Sequence, residues 1–122
     1  MTPDQLAKAL PRSALALRGY NVTNLGRTRE LLAHPAYGAV VARNLCELAA
    51  AAAEVLGRPV DLVRHVEANQ EFTLETYGEA VTLILAMEVA QLELLHQHFG
   101  LDYRGAAFSF GYSLGEIGAL IA

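Results

Sequence analysis

A G-x-S-x-G pentapeptide at residues 111–115, with the sequence Gly-Tyr-Ser-Leu-Gly, constrains the fold of this chain more than any other feature. The five residues before it, Ala106 to Phe110, are apolar and aromatic except for one serine, which is the composition of a buried strand. The residues after it are mostly apolar and place an acidic side chain, Glu116, in the first turn of a predicted helix. The pattern therefore predicts a sharp strand-to-helix turn with Ser113 at its apex.

Such a turn has a chemical consequence for the serine. Gly111 and Gly115 have no Cβ, so the hydroxyl of Ser113 can project out of the backbone without a steric conflict. The first amide groups of the following helix point to the place where negative charge would develop during attack on a carbonyl. Ser113 is therefore a candidate nucleophile, and an ordinary glycine-rich turn without chemistry is the alternative.

The residues around Ser113 also resemble a known family. The sequence Gly-Tyr-Ser-Leu-Gly-Glu, followed by Ile-Gly-Ala-Leu, is similar to the nucleophile segment of malonyl-CoA:acyl-carrier-protein transacylases and of polyketide-synthase acyltransferase domains. Upstream, residues 14–19, residues 26–32 and the run His-Pro-Ala-Tyr at 34–37 resemble that family in order and spacing. The resemblance covers most of the chain and is specific only around the serine.

The resemblance implies an α/β fold: a helix-rich, partial acyltransferase-like core with a short parallel sheet and a strand–Ser–helix nucleophile elbow. Residues 14–18 and 106–110 are expected to be neighbouring parallel strands, because a strand followed by crossover helices returns parallel in the same sheet. Family members are much longer, and their general-base histidine and carboxylate-binding arginine follow the nucleophile helix. We therefore expect residues 1–122 to be the N-terminal portion of one such domain, truncated after the elbow and inactive by itself.

The resemblance also implies roles for residues near the serine. In the family, two backbone N–H groups hold the oxyanion, and Tyr20 and Leu114 occupy those positions here. Gly19, Tyr112 and Glu116 are expected to contact the substrate, and neither a metal nor a cofactor is predicted. The implied activity is transfer of a malonyl or other acyl group from coenzyme A to an acyl carrier protein through a serine ester. The enzyme would act alone or within a larger synthase.

Three departures from the family pattern concern the substrate more than the fold. Residues 19–23 read Gly-Tyr-Asn-Val-Thr where the family has roughly Gly-Gln-Gly-Ser-Gln, and Tyr112 replaces the usual histidine. Residues 76–80, Thr-Tyr-Gly-Glu-Ala, stand where the family has Thr-Gln-Pro-Ala. Two alternatives therefore stay open. One is a serine hydrolase of the α/β-hydrolase or patatin-like kind; the other is a non-catalytic acyltransferase-like module that binds a carrier protein.

Composition excludes several other classes of function. A net charge of −4 without a basic cluster argues against nucleic-acid binding. The polar start Thr-Pro-Asp-Gln is not a signal peptide. The most apolar stretch, residues 80–95, is interrupted by Glu88 and Glu93 and is too short to span a membrane. We therefore expect a cytoplasmic protein without a membrane partner.

Two long helices are predicted between the strands, from Ala36 to Leu56 and from Leu74 to Phe99. Each is followed by a glycine, the residue that most often terminates a helix. The second helix is predicted to bury one apolar face, formed by Val81, Leu85, Val89 and Leu92 at helical spacing.

The remaining polar residues have simple structural interpretations. The single cysteine, Cys46, has no partner for a disulfide and is predicted to be a small core residue. His96 and His98 are two positions apart on a helix, so they cannot share a metal, and they are expected to face solvent. The resemblance favours neither His34 nor His65 as a general base. A solvated helix face is predicted for Glu71, Glu75, Glu79, Glu88 and Glu93.

Overall fold

The structure, a computed structural model, describes residues 1–20 and 25–122, with the backbone alone at 25 and 26. These residues form a helix-rich chain with a short two-stranded parallel sheet, as the sequence predicts. The helices are α1 (Pro3–Ala9), α2 (Leu25–Ala33), α3 (Gly38–Leu56), α4 (Leu62–Glu67), α5 (Tyr77–Phe99) and α6 (Leu114–Ile121), and the strands are β1 (Ala14–Leu17) and β2 (Phe108–Gly111).

The chain separates into two compact units. Residues 1–21 and 91–122 contain β1, β2 and α6 and are called the sheet unit. Residues 22–90 contain α2, α3, α4 and the first part of α5 and are called the helical unit. The candidate nucleophile and the residues predicted to surround it all belong to the sheet unit.

The two strands confirm the predicted parallel pairing. Their register runs from Ala14 opposite Phe108 to Leu17 opposite Gly111. β2 begins two residues later than predicted, because Tyr103–Gly105 forms a 3-10 turn that ends at Ala106. The carboxylate of Asp102 accepts a hydrogen bond from the Arg104 amide and so caps this turn.

The two faces of the sheet differ. Helix α6 covers one face, where the Ser109 hydroxyl donates to the Ala119 carbonyl at 3.1 Å. Because side chains alternate along a strand, Phe108 and Phe110 point to the opposite face. There they are 61% and 52% exposed, with ring centroids 6.1 Å apart. More than half of each ring is exposed, so the second face of the sheet is apolar and largely accessible to solvent.

Helix ends follow the local sequence signals. Thr2 and Gln5 form a reciprocal capping box at the start of α1, and Pro3 follows in the first turn. Gly57 follows α3 and Gly100 follows α5, as predicted, and both glycines have the positive φ common at this position. The start of α5 is three residues later than predicted.

Among the described residues, no helix combines the length and the apolar character that crossing a membrane requires.

The core of the helical unit is built from α3, α4 and α5, and it corrects the predicted face of α5. Val81, Leu85 and Val89 are only half-buried, whereas Leu92 is buried as predicted. Because α5 is apolar around most of its circumference, apolar spacing alone does not identify the packed face. The side chains that are buried in this part of α5 are Ala80, Leu83, Ile84, Ala86, Met87 and Ala90.

Two further predictions for the helical unit are wrong. Cys46 is exposed, because α3 turns its neighbour Leu45 into the core instead. Glu79 is not solvated: it is 8% exposed and forms an ion pair with Arg58, which precedes α4. Arg58 also donates to the carbonyl of Glu75 at 3.4 Å, so one guanidinium binds two points at the start of α5.

The Arg58–Glu79 pair should contribute measurably to the stability of the helical unit. Replacing Arg58 with alanine leaves a mostly buried carboxylate without its cation, which should lower the free energy of unfolding by about 1–3 kcal/mol. Arg27→Ala is the matched control, because the Arg27–Glu30 pair is highly exposed, with side chains 86% and 68% accessible. That change should cost about 0.5 kcal/mol or less. Equal losses in a urea titration of the two variants would contradict this assignment.

The open face of the sheet should promote self-association. Replacing both Phe108 and Phe110 with serine removes two exposed rings and should reduce hydrophobic-dye binding and the fraction of larger species in sedimentation. Leu74→Ser is the control, because Leu74 is 93% exposed but lies outside the sheet unit. A wild-type chain that sediments as a monomer without binding dye would show that this face does not associate.

Candidate active site

Ser113 has the strained backbone that the pentapeptide predicts. Its φ is 57° and its ψ is −123°, a conformation that is disfavoured for any residue with a Cβ. Such a residue costs on the order of 1–3 kcal/mol and persists only where the surrounding structure enforces it. Ser113 lies between β2 and α6, so the sharp strand-to-helix turn is confirmed as a geometric feature.

The first turn of α6 enforces this geometry. The amide of Gly115 donates to the Tyr112 carbonyl, and the amide of Glu116 donates to the Ser113 carbonyl, each at 3.0 Å. A Cβ at Gly115 would collide with the carbonyl oxygen of Leu17 at the end of β1. Only glycine therefore lets α6 approach the sheet closely enough to bend the chain at the serine.

The loop after β1 also lies against the turn. A Cβ at Gly19 would be 2.7 Å from the Tyr112 carbonyl oxygen and 3.3 Å from the Cβ of Ser113. The structure therefore brings Gly19 next to the candidate nucleophile. Tyr20 follows directly and is 40% exposed. The rest of the divergent first loop, Asn21 with the Val-Thr pair at 22–23, lies outside the described residues.

The Ser113 hydroxyl has no structural partner among residues 1–20 and 25–122. Serine at the N-cap of a helix normally accepts a hydrogen bond from an amide one turn later, but Ser113 makes no such bond. Its side chain is exposed and has no hydrogen bond to any described residue. Leu114, at the first position of α6, has an amide without an intrahelical acceptor. Within the part of the chain that the structure describes, a hydroxyl without a hydrogen bond and an amide without an intrahelical acceptor thus occupy adjacent residues.

Charged side chains are sparse at this edge of the sheet. Glu116 is exposed in the first turn of α6, and Arg18 is exposed directly after β1. The Asp102–Arg104 pair precedes β2 and so belongs to the other edge. Hydrogen bonds from the Arg104 side chain and backbone lower the pKa of the Asp102 carboxyl from its usual value. These hydrogen bonds lie within a local turn and do not involve the serine.

A general base is not supplied by the described part of the sheet unit. Its two histidines, His96 and His98, are exposed in the last turn of α5, as predicted, and come before the amino end of β2. His34 and His65 belong to the helical unit, where each stacks on an aromatic ring. Among the described residues, no group of three or more histidine, cysteine, aspartate or glutamate side chains could hold a metal ion.

Comparisons with protein families, with curated proteins and with solved structures give no match to this chain. The candidate site is therefore argued from its geometry. Of the residues predicted to form it, Gly19, Tyr112, Ser113 and Leu114 lie together, Tyr20 follows Gly19 in sequence, and Glu116 lies in the adjoining helical turn.

Two features of the site were missed in the sequence. The contact between Gly115 and Leu17 joins positions almost a hundred residues apart, so no local signal reports it. Arg18 was assigned only to the end of a strand. Its position was the available signal, because ligands of parallel sheets bind beyond the carboxyl ends of the strands.

Replacing Gly115 with alanine should dismantle the turn. The new Cβ collides with the Leu17 carbonyl, so α6 must move away from β1, and we expect a loss of about 1–3 kcal/mol in the free energy of unfolding. Reaction of Ser113 with a fluorophosphonate should slow at the same time. Gly105→Ala is the control, because its Cβ would meet Leu10 at an ordinary 3.4 Å. Wild-type stability and labelling in the Gly115 variant would contradict the close approach.

Proposed function

We propose that this chain carries the nucleophile of a cytoplasmic acyltransferase, which moves a malonyl or other acyl group from coenzyme A to an acyl carrier protein through an ester at Ser113. The observation that carries the proposal is the strained, exposed Ser113 with a hydroxyl that no described residue binds. A serine in an N-cap position that does not cap its helix is available for chemistry. The resemblance of residues 111–116 to acyltransferase nucleophile segments supports the acyl group as the substrate.

The proposed first step is an ordinary acyl transfer. The Ser113 oxygen attacks the thioester carbonyl, an O–C bond forms, and the C–S bond breaks to release the coenzyme A thiol. The hydroxyl proton passes through a general base to the departing sulfur. In the second step, the carrier-protein thiol attacks the ester and regenerates the hydroxyl. The amides of Leu114 and Tyr20 are the proposed donors to the oxyanion in both steps.

The proposal assigns the general base to a residue outside the described sheet unit. Without that base, the reaction of Ser113 should be slower than in a complete triad by about three to six orders of magnitude. The strained turn and the helical amides still favour the serine over other hydroxyls. Slow, site-specific acylation is therefore the expected behaviour of the 122 residues by themselves.

Mass spectrometry of the intact chain after long incubation with malonyl-CoA tests the proposal. We expect a single malonyl adduct that peptide mapping places on Ser113 and that Ser113→Ala lacks. Ser109→Ala is the matched control: Ser109 lies on the same strand, but its hydroxyl already donates to Ala119. That variant should keep the adduct.

The fate of the adduct distinguishes the alternatives. Transfer to added pantetheine supports a transferase, whereas release of free malonate at the same rate with or without a thiol supports a hydrolase. An intact, folded chain that gains no adduct from malonyl-CoA, from a neutral acyl-CoA or from a fluorophosphonate would support the non-catalytic module and overturn the proposal.

A further inference from the structure

An exposed apolar surface lies at the end of the helical unit where α3 finishes and α5 begins. We call it the end surface, and its members are Val55, Leu56, Leu74 and Tyr77. Leu56 lies across the start of α5, because a Cβ at Gly78 would be 3.3 Å from its Cδ2 atom. Val55 and Leu74 are almost fully exposed. These two side chains therefore contribute little to the core of the unit.

The segment that carries Leu74 is anchored on both sides of this residue. Before it, the ring of Phe72 stacks on the ring of His65, with centroids 3.9 Å apart and an angle of 4° between the planes. After it, the Thr76 hydroxyl accepts a hydrogen bond from the Thr73 amide at 2.8 Å, and the Thr76 amide donates to the Thr73 carbonyl at 3.1 Å. A leucine on an anchored backbone loses less conformational entropy on binding than one on a flexible loop.

The charges around the end surface are mostly negative. The two segments that form it, residues 54–58 and 71–79, contain four carboxylates and a single guanidinium. The guanidinium belongs to Arg58, which pairs with the mostly buried Glu79. The other three carboxylates are exposed, and they belong to Glu54, Glu71 and Glu75. An apolar surface with this unbalanced negative charge is complementary to a partner that is both apolar and basic.

We propose that the end surface binds a basic amphipathic helix of another protein. Such a helix presents an apolar stripe flanked by lysine and arginine, which matches the exposed apolar side chains and the three carboxylates. Nucleic acids and anionic membranes are repelled by the same carboxylates, and a second copy binding through this surface would bring like charges together. The inference does not depend on chemistry at Ser113, because the end surface belongs to the helical unit.

Three labelled synthetic peptides of equal length, titrated with the full chain, test the inference. The first has leucine on one helical face and lysine elsewhere, the second replaces each lysine with glutamate, and the third is a scrambled leucine–lysine peptide without an apolar face. Fluorescence anisotropy should show the patterned leucine–lysine peptide binding about tenfold more tightly than either of the others. Raising the ionic strength should reduce this preference over the glutamate peptide, because salt screens exposed charges.

Matched variants locate the bound peptide. Leu74→Ser should weaken binding of the patterned leucine–lysine peptide about tenfold, whereas Leu120→Ser, equally exposed but in the sheet unit, should not. Glu71→Lys should weaken binding about threefold by reversing one charge beside the peptide. Glu47→Lys changes the net charge equally but lies about 12 Å from Val55 along α3, so it should have little effect. All four side chains are exposed, and circular dichroism confirms that each variant is folded.

Four results would overturn the inference. They are failure of the patterned leucine–lysine peptide to bind, equal binding of the glutamate peptide, equal binding of the scrambled peptide, and a loss of binding in Leu120→Ser instead of Leu74→Ser. The last result would assign the peptide to the sheet unit. Sedimentation of the peptide-free chain adds a fifth: a dimer that Leu74→Ser dissociates would assign the end surface to a second copy.

Discussion

The close approach of α6 to the carboxyl end of β1 is the contact on which the rest of the sheet unit depends. Gly115 lies against the carbonyl of Leu17 at a distance that no side chain permits. This approach forces the chain to turn within two residues of β2, so Ser113 takes a backbone conformation that costs free energy. Burial of Leu114 and the hydrogen bonds of the first helical turn offset that cost.

The same contact explains why Ser113 is available for a reaction. Ser113 has a positive φ instead of the extended backbone usual for an N-cap residue, and its side chain does not form the capping bond that serine usually makes at this position. The amide of Leu114, the first residue of α6, is also left without an intrahelical acceptor at the edge where Gly19 meets the turn. Arg18 adds a positive charge at this edge, in a chain that is acidic as a whole.

Local signals and long-range contacts explain which sequence predictions succeeded. Predictions that depend on neighbouring residues are confirmed: these are the two strands, the glycines that follow α3 and α5, and the strained backbone of the serine. The starts of β2, α3 and α5 lie two or three positions later than predicted. The packed face of α5 and the burial of Glu79 were predicted wrongly. An apolar helix does not specify which side is covered, and Arg58 is distant in sequence from the carboxylate that it neutralises.

The sequence by itself determined the turn at 111–115, the parallel strands on which it stands and the identity of the candidate nucleophile. Each follows from the steric freedom of glycine, from strand and helix composition, and from the return of a crossover chain to the same sheet. Only the tertiary structure decided that no described residue binds the Ser113 hydroxyl, that Gly19 touches the turn and that Arg18 lies at the same edge. These facts depend on which distant segments come into contact, and local sequence patterns do not predict a contact between residues some ninety positions apart.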